Sequence, residues 1–259
     1  MSSISVEDLS IRFRIYHDRS PSLKDYVVGL VKPKKPTSVS DFWAINHVSF
    51  GISAGERVGI VGHNGAGKST LLKALCRIYE PSSGRITVQG RIAPLLEIGA
   101  GFHPEFAGRE NIYLNGAILG YSKSQLRAIE QEVIDFAEIE EFIDTPVKYY
   151  STGMYLRLAF ALATAVQPEI LVLDEMFAGG DANFVQKATA RMHKVIESAS
   201  IMVVVSHDIN LLSTICTRVI WMDHGRVKED GPAHEVLAHY RESTAAAAAP
   251  PPAAVPAEA

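Results

Sequence analysis

The chain has 259 residues, 47% of them hydrophobic, and a formal net charge of −4. That length fits one α/β domain with a small subdomain, and the charge supplies no global basic field for a nucleic-acid partner. The two cysteines, Cys76 and Cys216, lie far apart without metal-ligand spacing and read as buried small hydrophobes of a reducing compartment.

The start, MSSISVEDLS, lacks the basic and apolar regions of a signal peptide. Residues 4–14 and 43–62 predict short strands, with a turn at Ala54-Gly55 and a buried strand from Arg57 to Val61. Between them lies a polar insert, residues 17–42, where Leu23, Tyr26, Val27, Leu30 and Val31 fall at helical spacing before Pro33. That segment is either a solvated surface helix or a docking element. From Gly62 to about Tyr240 strand and helix signals alternate, which predicts a mainly parallel sheet covered by helices. A helix-rich block near residues 108–165, from about residue 100 onward, is expected to form a subdomain, and it contains Gly108-Arg109-Glu110-Asn111. Its apolar run Leu158 to Val166 is too short to cross a membrane and carries Thr164. The tail from Ser243, STAAAAAPPPAAVPAEA, is expected to be disordered over 243–259.

The chemistry concentrates in three places. Gly62-His63-Asn64-Gly65-Ala66-Gly67-Lys68-Ser69, followed by Thr70, matches G-x-x-x-x-G-K-[ST]. It follows an apolar strand and opens a helix with Leu71, Leu72, Leu75 and Ile78 on one face, the context such a loop requires. Glycines let successive backbone N–H groups converge on phosphate oxygens, and the helix N-terminus adds positive partial charge. Lys68 is expected to reach the β- and γ-phosphates and Ser69 to ligate Mg²⁺.

The apolar strand Ile170-Leu171-Val172-Leu173 ends in Asp174, placed to hold the ion, and Glu175, placed to polarise a water. A solvated turn is the alternative for this carboxylate pair. Val203-Val204-Val205-Ser206-His207-Asp208 predicts another buried strand whose final His207 can donate a hydrogen bond to the γ-phosphate. In Tyr150-Ser151-Thr152-Gly153-Met154, Ser151 can cap a helix whose N–H groups make a second anion site.

Phosphate loop, Ser-x-Gly turn, LVLDE strand, Asp181 and terminal strand histidine, in this order, resemble the ATP-binding domain of an ABC transporter over about residues 1–242. The resemblance implies an α/β phosphate-loop NTPase with a mainly parallel core sheet, an antiparallel β subdomain and an α-helical subdomain. Its cofactors would be ATP and Mg²⁺, with Glu175 and His207 as catalytic residues. The turn stands where the family has Leu-Ser-Gly-Gly-Gln. Ser151, Gly153 and Arg157 fit that pattern, whereas Tyr150, Thr152 and Met154 depart from it.

The Tyr-Ser-x-Gly-Met-Tyr variant, with LLEIGAGFHPEFAGRENIYLNG from Leu95, is similar to the polysaccharide-exporting branch of the family. That branch implies a head-to-tail dimer of two copies, with ATP between Gly62–Ser69 of one and Ser151 and Gly153 of the other. It also implies a polytopic membrane permease that moves a lipid-linked glycan, and a place at the cytoplasmic face of the cell membrane. The family's Q-loop glutamine is replaced near Glu97, an acidic residue able to reach the metal through water. Met176 and Gly180 replace the common proline and leucine after the glutamate. Tyr16, Phe13, Phe42 and Trp43 are candidates for the aromatic against adenine, with Tyr16 favoured. A soluble regulatory ATPase of the same fold is the main rival. Its usual fused second domain or long coiled coil has no counterpart in this sequence.

Overall fold

The computed structural model describes residues 2–16, 39–96, 99–165, 167–174 and 182–248. The first two strands, β1 (Ser3–Tyr16) and β2 (Val39–Ser53), pair antiparallel, and β1 also pairs with β4 (Ser83–Gln89). These make a three-stranded sheet in the order β2-β1-β4. Between them comes β3 (Arg57–Val61), whose bounds coincide with the sequence reading. It belongs to a second sheet with β5 (Ile92–Leu95), β6 (Ile170–Asp174), β7 (Ile201–Val205), β8 (Arg218–Asp223) and β9 (Arg226–Pro232), in the order β5-β6-β7-β3-β8-β9. Every neighbouring pair of this sheet is parallel except β8 with β9. A mainly parallel core sheet beside an antiparallel one is the arrangement the sequence implied.

The central strands read as unbroken apolar runs because both faces of the sheet are covered. Side chains alternate across it with period two. Ile170, Val172, Ile201, Val203 and Val205 therefore join one cluster, with the inner face of the small sheet and α1 (Lys68–Leu75). Leu171, Leu173, Met202 and Val204 join the other, with α5 (Ala182–Ser198), α6 (Ile209–Ile215) and α7 (Ala233–Ala248). A Cβ on Gly59 would lie 3.1–3.3 Å from Val219, Cys216 and Leu212, so β3 packs closely against this second layer there. Both cysteines are free; Cys216 is buried and Cys76 half-buried, and burial pushes each thiol up to about 12.

A third apolar cluster belongs to the helical block: α2 (Gly108–Ile118), α3 (Lys123–Ala137) and α4 (Thr152–Thr164). Ile112, Val133, Ile134, Leu158 and Leu162 meet there, separate from the two clusters on the sheet. Among the described residues no helix is long and apolar enough to cross a membrane.

Three expectations change. β2 begins at Val39, so the last part of the expected insert is strand, while residues 17–38, with the helical spacing from Leu23 to Val31, lie outside the described residues. The helix after the phosphate loop stops at Leu75, and Arg77 takes a left-handed φ of 59°. Ile78 therefore leaves the apolar face and is 56% exposed. Finally, α7 continues through Ala248 into the segment expected to be disordered. Alanine is the best helix former, and Thr244 Oγ1 ties the turn by donating to the Tyr240 carbonyl at 2.7 Å. Residues 249–259 lie outside the described residues.

Candidate functional site

Residues 62–67 turn tightly between β3 and α1, and two glycines are required there by close approach. A Cβ on Gly62 would meet the Met222 carbonyl at 2.3 Å, and one on Gly67, at φ 100°, would meet the Ala44 carbonyl at 2.4 Å. No side chain caps α1, so its first N–H groups are left for an anion. Lys68 is only 7% exposed; its ammonium donates to the carbonyls of Gly62 at 2.8 Å and His63 at 3.1 Å. Those two bonds hold the charge beneath the loop rather than in solvent.

Above the loop is a cavity of about 490 Å³. Asn64, Gly65 and Gly67 through Thr70 form its floor. Asp174 closes β6, and His207 follows the end of β7, and both reach the same cavity. The parallel register explains this convergence. Asp174 pairs with Val205, and Val205 with Ile60, so three strands end at one level beside the loop. His207 is exposed, and the backbone around it is tied down: the Asp208 amide donates to Ser206 Oγ at 3.0 Å, while the Asp208 carboxylate accepts from the amides of Asn210 and Leu211 and caps α6.

Not every expected residue faces the cavity. Gly62 contributes its carbonyl to Lys68, and Ala66 is fully buried beneath the loop. The His63 ring turns away, with Nε2 2.9 Å from Asp223 Oδ1 on the far side of the loop. Of the four aromatic candidates, Phe42 lines the cavity, half-exposed beside Ala44. Phe13 instead packs edge-on against Tyr79 at 5.4 Å, and Trp43 lies under the Arg12 guanidinium at 5.4 Å. The side chain of Tyr16 lies outside the described residues, as do Glu97, Glu175, Met176, Gly180 and Asp181. Phe42 was one of four aromatics in the sequence because the insert destroyed the spacing that would have singled it out.

Ser151 and Gly153 lie elsewhere. Ser151 is exposed and is the N-cap of α4, its hydroxyl accepting from the Met154 amide at 3.2 Å. Neither it nor Gly153 lines the cavity. The unusual tyrosines flanking this turn have structural partners. Tyr150 Oη donates to the Phe142 carbonyl at 2.8 Å and lies where a Cβ on Gly108 would be, and burial pushes its hydroxyl up to about 12. Tyr155 Oη donates to the Gly99 carbonyl at 2.7 Å, and Asn115 reaches the next carbonyl, Ala100, at 2.7 Å. Asn111 is fully buried. Its amide donates to the carbonyls of His103, Phe106 and Ala107, and its oxygen accepts from the His103 amide at 2.7 Å. Residues 99–116 are thereby a folded unit, one that resemblance alone could mark in the sequence.

Known proteins with similar sequences and structures agree with this geometry. The chain is 42% identical over 94% of its length to the O-antigen export system ATP-binding protein RfbB of Myxococcus xanthus, of which it spans 56%. It is 35% identical over 93% of its length to the O-antigen export system ATP-binding protein RfbB of Klebsiella pneumoniae, covering 98% of that protein. Among solved structures, a dimeric ATP-binding cassette bound to ADP and Pi superimposes with a TM-score of 0.64 over 89% of this chain and 98% of its own, at 21% identity, and shares the fold. The ABC transporter family model matches residues 45–178, a span holding the phosphate loop, the Ser151 turn and Asp174, and the chain belongs to that family.

Proposed function

We propose that this chain is the ATP-hydrolysing subunit of an exporter that moves a lipid-linked polysaccharide across the cytoplasmic membrane, working as a head-to-tail dimer beneath a separate permease. The observation that carries the reading is the convergence of Lys68, Ser69, Asp174 and His207 on one cavity with Phe42 at its edge. Phe42 offers a π-face to an adenine. The loop amides and the α1 N-terminus would hold the phosphates, and the Lys68 ammonium would add charge-assisted hydrogen bonds to them. The Ser69 hydroxyl and the Asp174 carboxylate are oxygen donors suited to Mg²⁺, which when bound neutralises phosphate charge.

Ser151 and Gly153 are the reason to invoke a dimer. A capped helix with its amides toward solvent, away from the chain's own cavity, suits a phosphate presented by a second copy. Closure would then follow from contacts that exist with the γ-phosphate and not without it. Both export relatives named above act in O-antigen export by name, and on that likeness we assign the cargo to the glycan class.

The permease would seat on a cleft of about 340 Å³ between the core sheet and the helical block. Ile78 and Ile118, 56% and 65% exposed, stand on it with Phe102. Leu96 lines both this cleft and the nucleotide cavity, so a partner in the cleft would feel changes at the site. Ile118→Asp should then lose co-purification with the permease; undiminished recovery would move the docking face elsewhere.

The deciding experiment is Glu175→Gln. Hydrolysis should fall by about 10²–10⁴ if Glu175 is the base, while ATP still binds and a dimer accumulates on size exclusion. Normal turnover by this variant would remove Glu175 from the mechanism.

A further inference from the structure

The displaced ring of His63 leads to a second cluster. His63, Asp223 and His224 each place one ligand atom within 4.8 Å of the others. His63 Nε2 is 2.9 Å, and His224 Nε2 3.8 Å, from the same oxygen, Asp223 Oδ1. The two imidazole rings stand 4.8 Å apart, tilted by 57°. Donors about 2.0–2.2 Å from a tetrahedral ion are roughly 3.4 Å from one another, a value these two distances straddle.

The other nitrogen of His63 decides what belongs in the gap. Nδ1 lies 2.7 Å from the Asn64 carbonyl, an acceptor, so Nδ1 carries the proton and donates it. In the neutral ring Nε2 then presents a lone pair to a carboxylate oxygen, and two acceptors face each other across 2.9 Å. Either a proton or a metal cation between them resolves the conflict, and the second imidazole of His224 beside them suits the metal. A ring that ligates a metal through one nitrogen and donates to a backbone carbonyl through the other is the usual outer-shell arrangement of metal-bound histidine.

The backbone supports the placement. His224 is held at a φ of 46°, in the left-handed region, at the turn between β8 and β9. Gly225 beside it donates to the Ala66 carbonyl at 3.0 Å and accepts from the Asn46 amide at 2.8 Å, which latches the turn to the phosphate loop.

We propose that His63, Asp223 and His224 form a binding site for one borderline-soft divalent cation, zinc being the first choice, that bridges the phosphate loop to the β8–β9 turn. Two imidazoles and one carboxylate suit Zn²⁺, Co²⁺, Ni²⁺ or Cu²⁺; Mg²⁺ and Ca²⁺ prefer oxygen alone. The site is distinct from the nucleotide cavity, which none of the three residues lines, and it does not depend on the proposed export function. The two cysteine thiols, largely buried and pushed up to about 12, are poor competitors.

The test uses the full, tag-free chain, stripped with chelator and free of nucleotide. Zn²⁺ titrated by calorimetry should bind at one ion per chain, and Co²⁺ should give the visible absorption of a four-coordinate site. His224→Ala and Asp223→Asn should each weaken Zn²⁺ binding by at least about tenfold and remove the Co²⁺ band. His224→Cys should restore both. His234→Ala, at an exposed histidine beside Glu235, should change nothing. His224 is exposed, and thermal melts of its variants report whether the fold is kept. Equal Zn²⁺ affinity in the wild type and His224→Ala overturns the proposal. So does an absence of binding, which would leave the His63–Asp223 contact as a protonated imidazolium pair.

Discussion

The cavity end of the sheet and the helical block solve the same problem, placing polar groups at fixed points, by opposite means. At the cavity, Lys68, Asp174 and His207 come from distant parts of the chain, set by parallel strands whose apolar side chains are buried on both faces. In the helical block position comes from nearby polar bonds. Asn111 knits its own loop, Tyr150 braces the start of α2, and Arg109 bridges Glu130 and Asp144. The sheet fixes its functional groups through the whole fold, whereas the helical block holds its polar groups by local bonds over an apolar cluster of its own. That suits a block that would carry its signature turn to a partner's nucleotide.

The sharpest way to break this contrast is Asn111→Ala. It takes from the His103 amide its acceptor and removes one of two donors to each of three carbonyls, since His103, Phe106 and Ala107 still accept from the amides of Phe106, Val147 and Asn111. We expect a loss of about 1–3 kcal/mol, read from urea unfolding followed in the helical block. Nucleotide binding at the phosphate loop should persist at concentrations where the variant stays folded. If ATP affinity fell in step with stability, the two regions would be one cooperative unit and the contrast would fail.

Lys68→Ala probes the other side. Because its ammonium is held beneath the loop by two carbonyls, its removal subtracts charge without opening the apolar layers. Affinity for ATP should drop by about 1.5–3 kcal/mol, roughly ten- to 150-fold, with only a modest fall in melting temperature from the two lost carbonyl bonds. A large drop in melting temperature would mean that the ammonium is a structural tie more than a phosphate ligand.

The sheet was the more legible region. Arg57–Val61 and Ile170–Asp174 stood out because continuous apolar runs ending at a glycine or a carboxylate leave few other readings. Side-chain direction was not legible. Nothing in the order of residues says that the His63 ring turns toward Asp223, from a strand 160 positions away. Phe42 could not be separated from Tyr16 because residues 17–38 intervene in sequence while Phe42 pairs with Phe13 across the sheet. Ile78 matched the helical period of Leu71 and Leu75, yet the left-handed Arg77 breaks the helix first. The alanines after Ser243 misled by composition, since residues too small to build a core still extend an existing helix.

Ser151→Ala discriminates most finely. Within one chain the hydroxyl caps α4 through a single bond to the Met154 amide, and loss of such a cap costs about 1 kcal/mol. If Ser151 is only a cap, that modest destabilisation is the whole result, and hydrolysis is unchanged at temperatures below the melt. If the turn receives a partner's phosphate, binding of ATP to the isolated chain stays intact, because Ser151 does not line that chain's cavity. Dimer formation and hydrolysis nevertheless fall together. Mixing Ser151→Ala with Lys68→Ala chains separates the two cases further. In a head-to-tail dimer one interface then carries both lesions and the other neither, so one intact site should return. A mixture as inactive as its components would show that the two residues act within one chain.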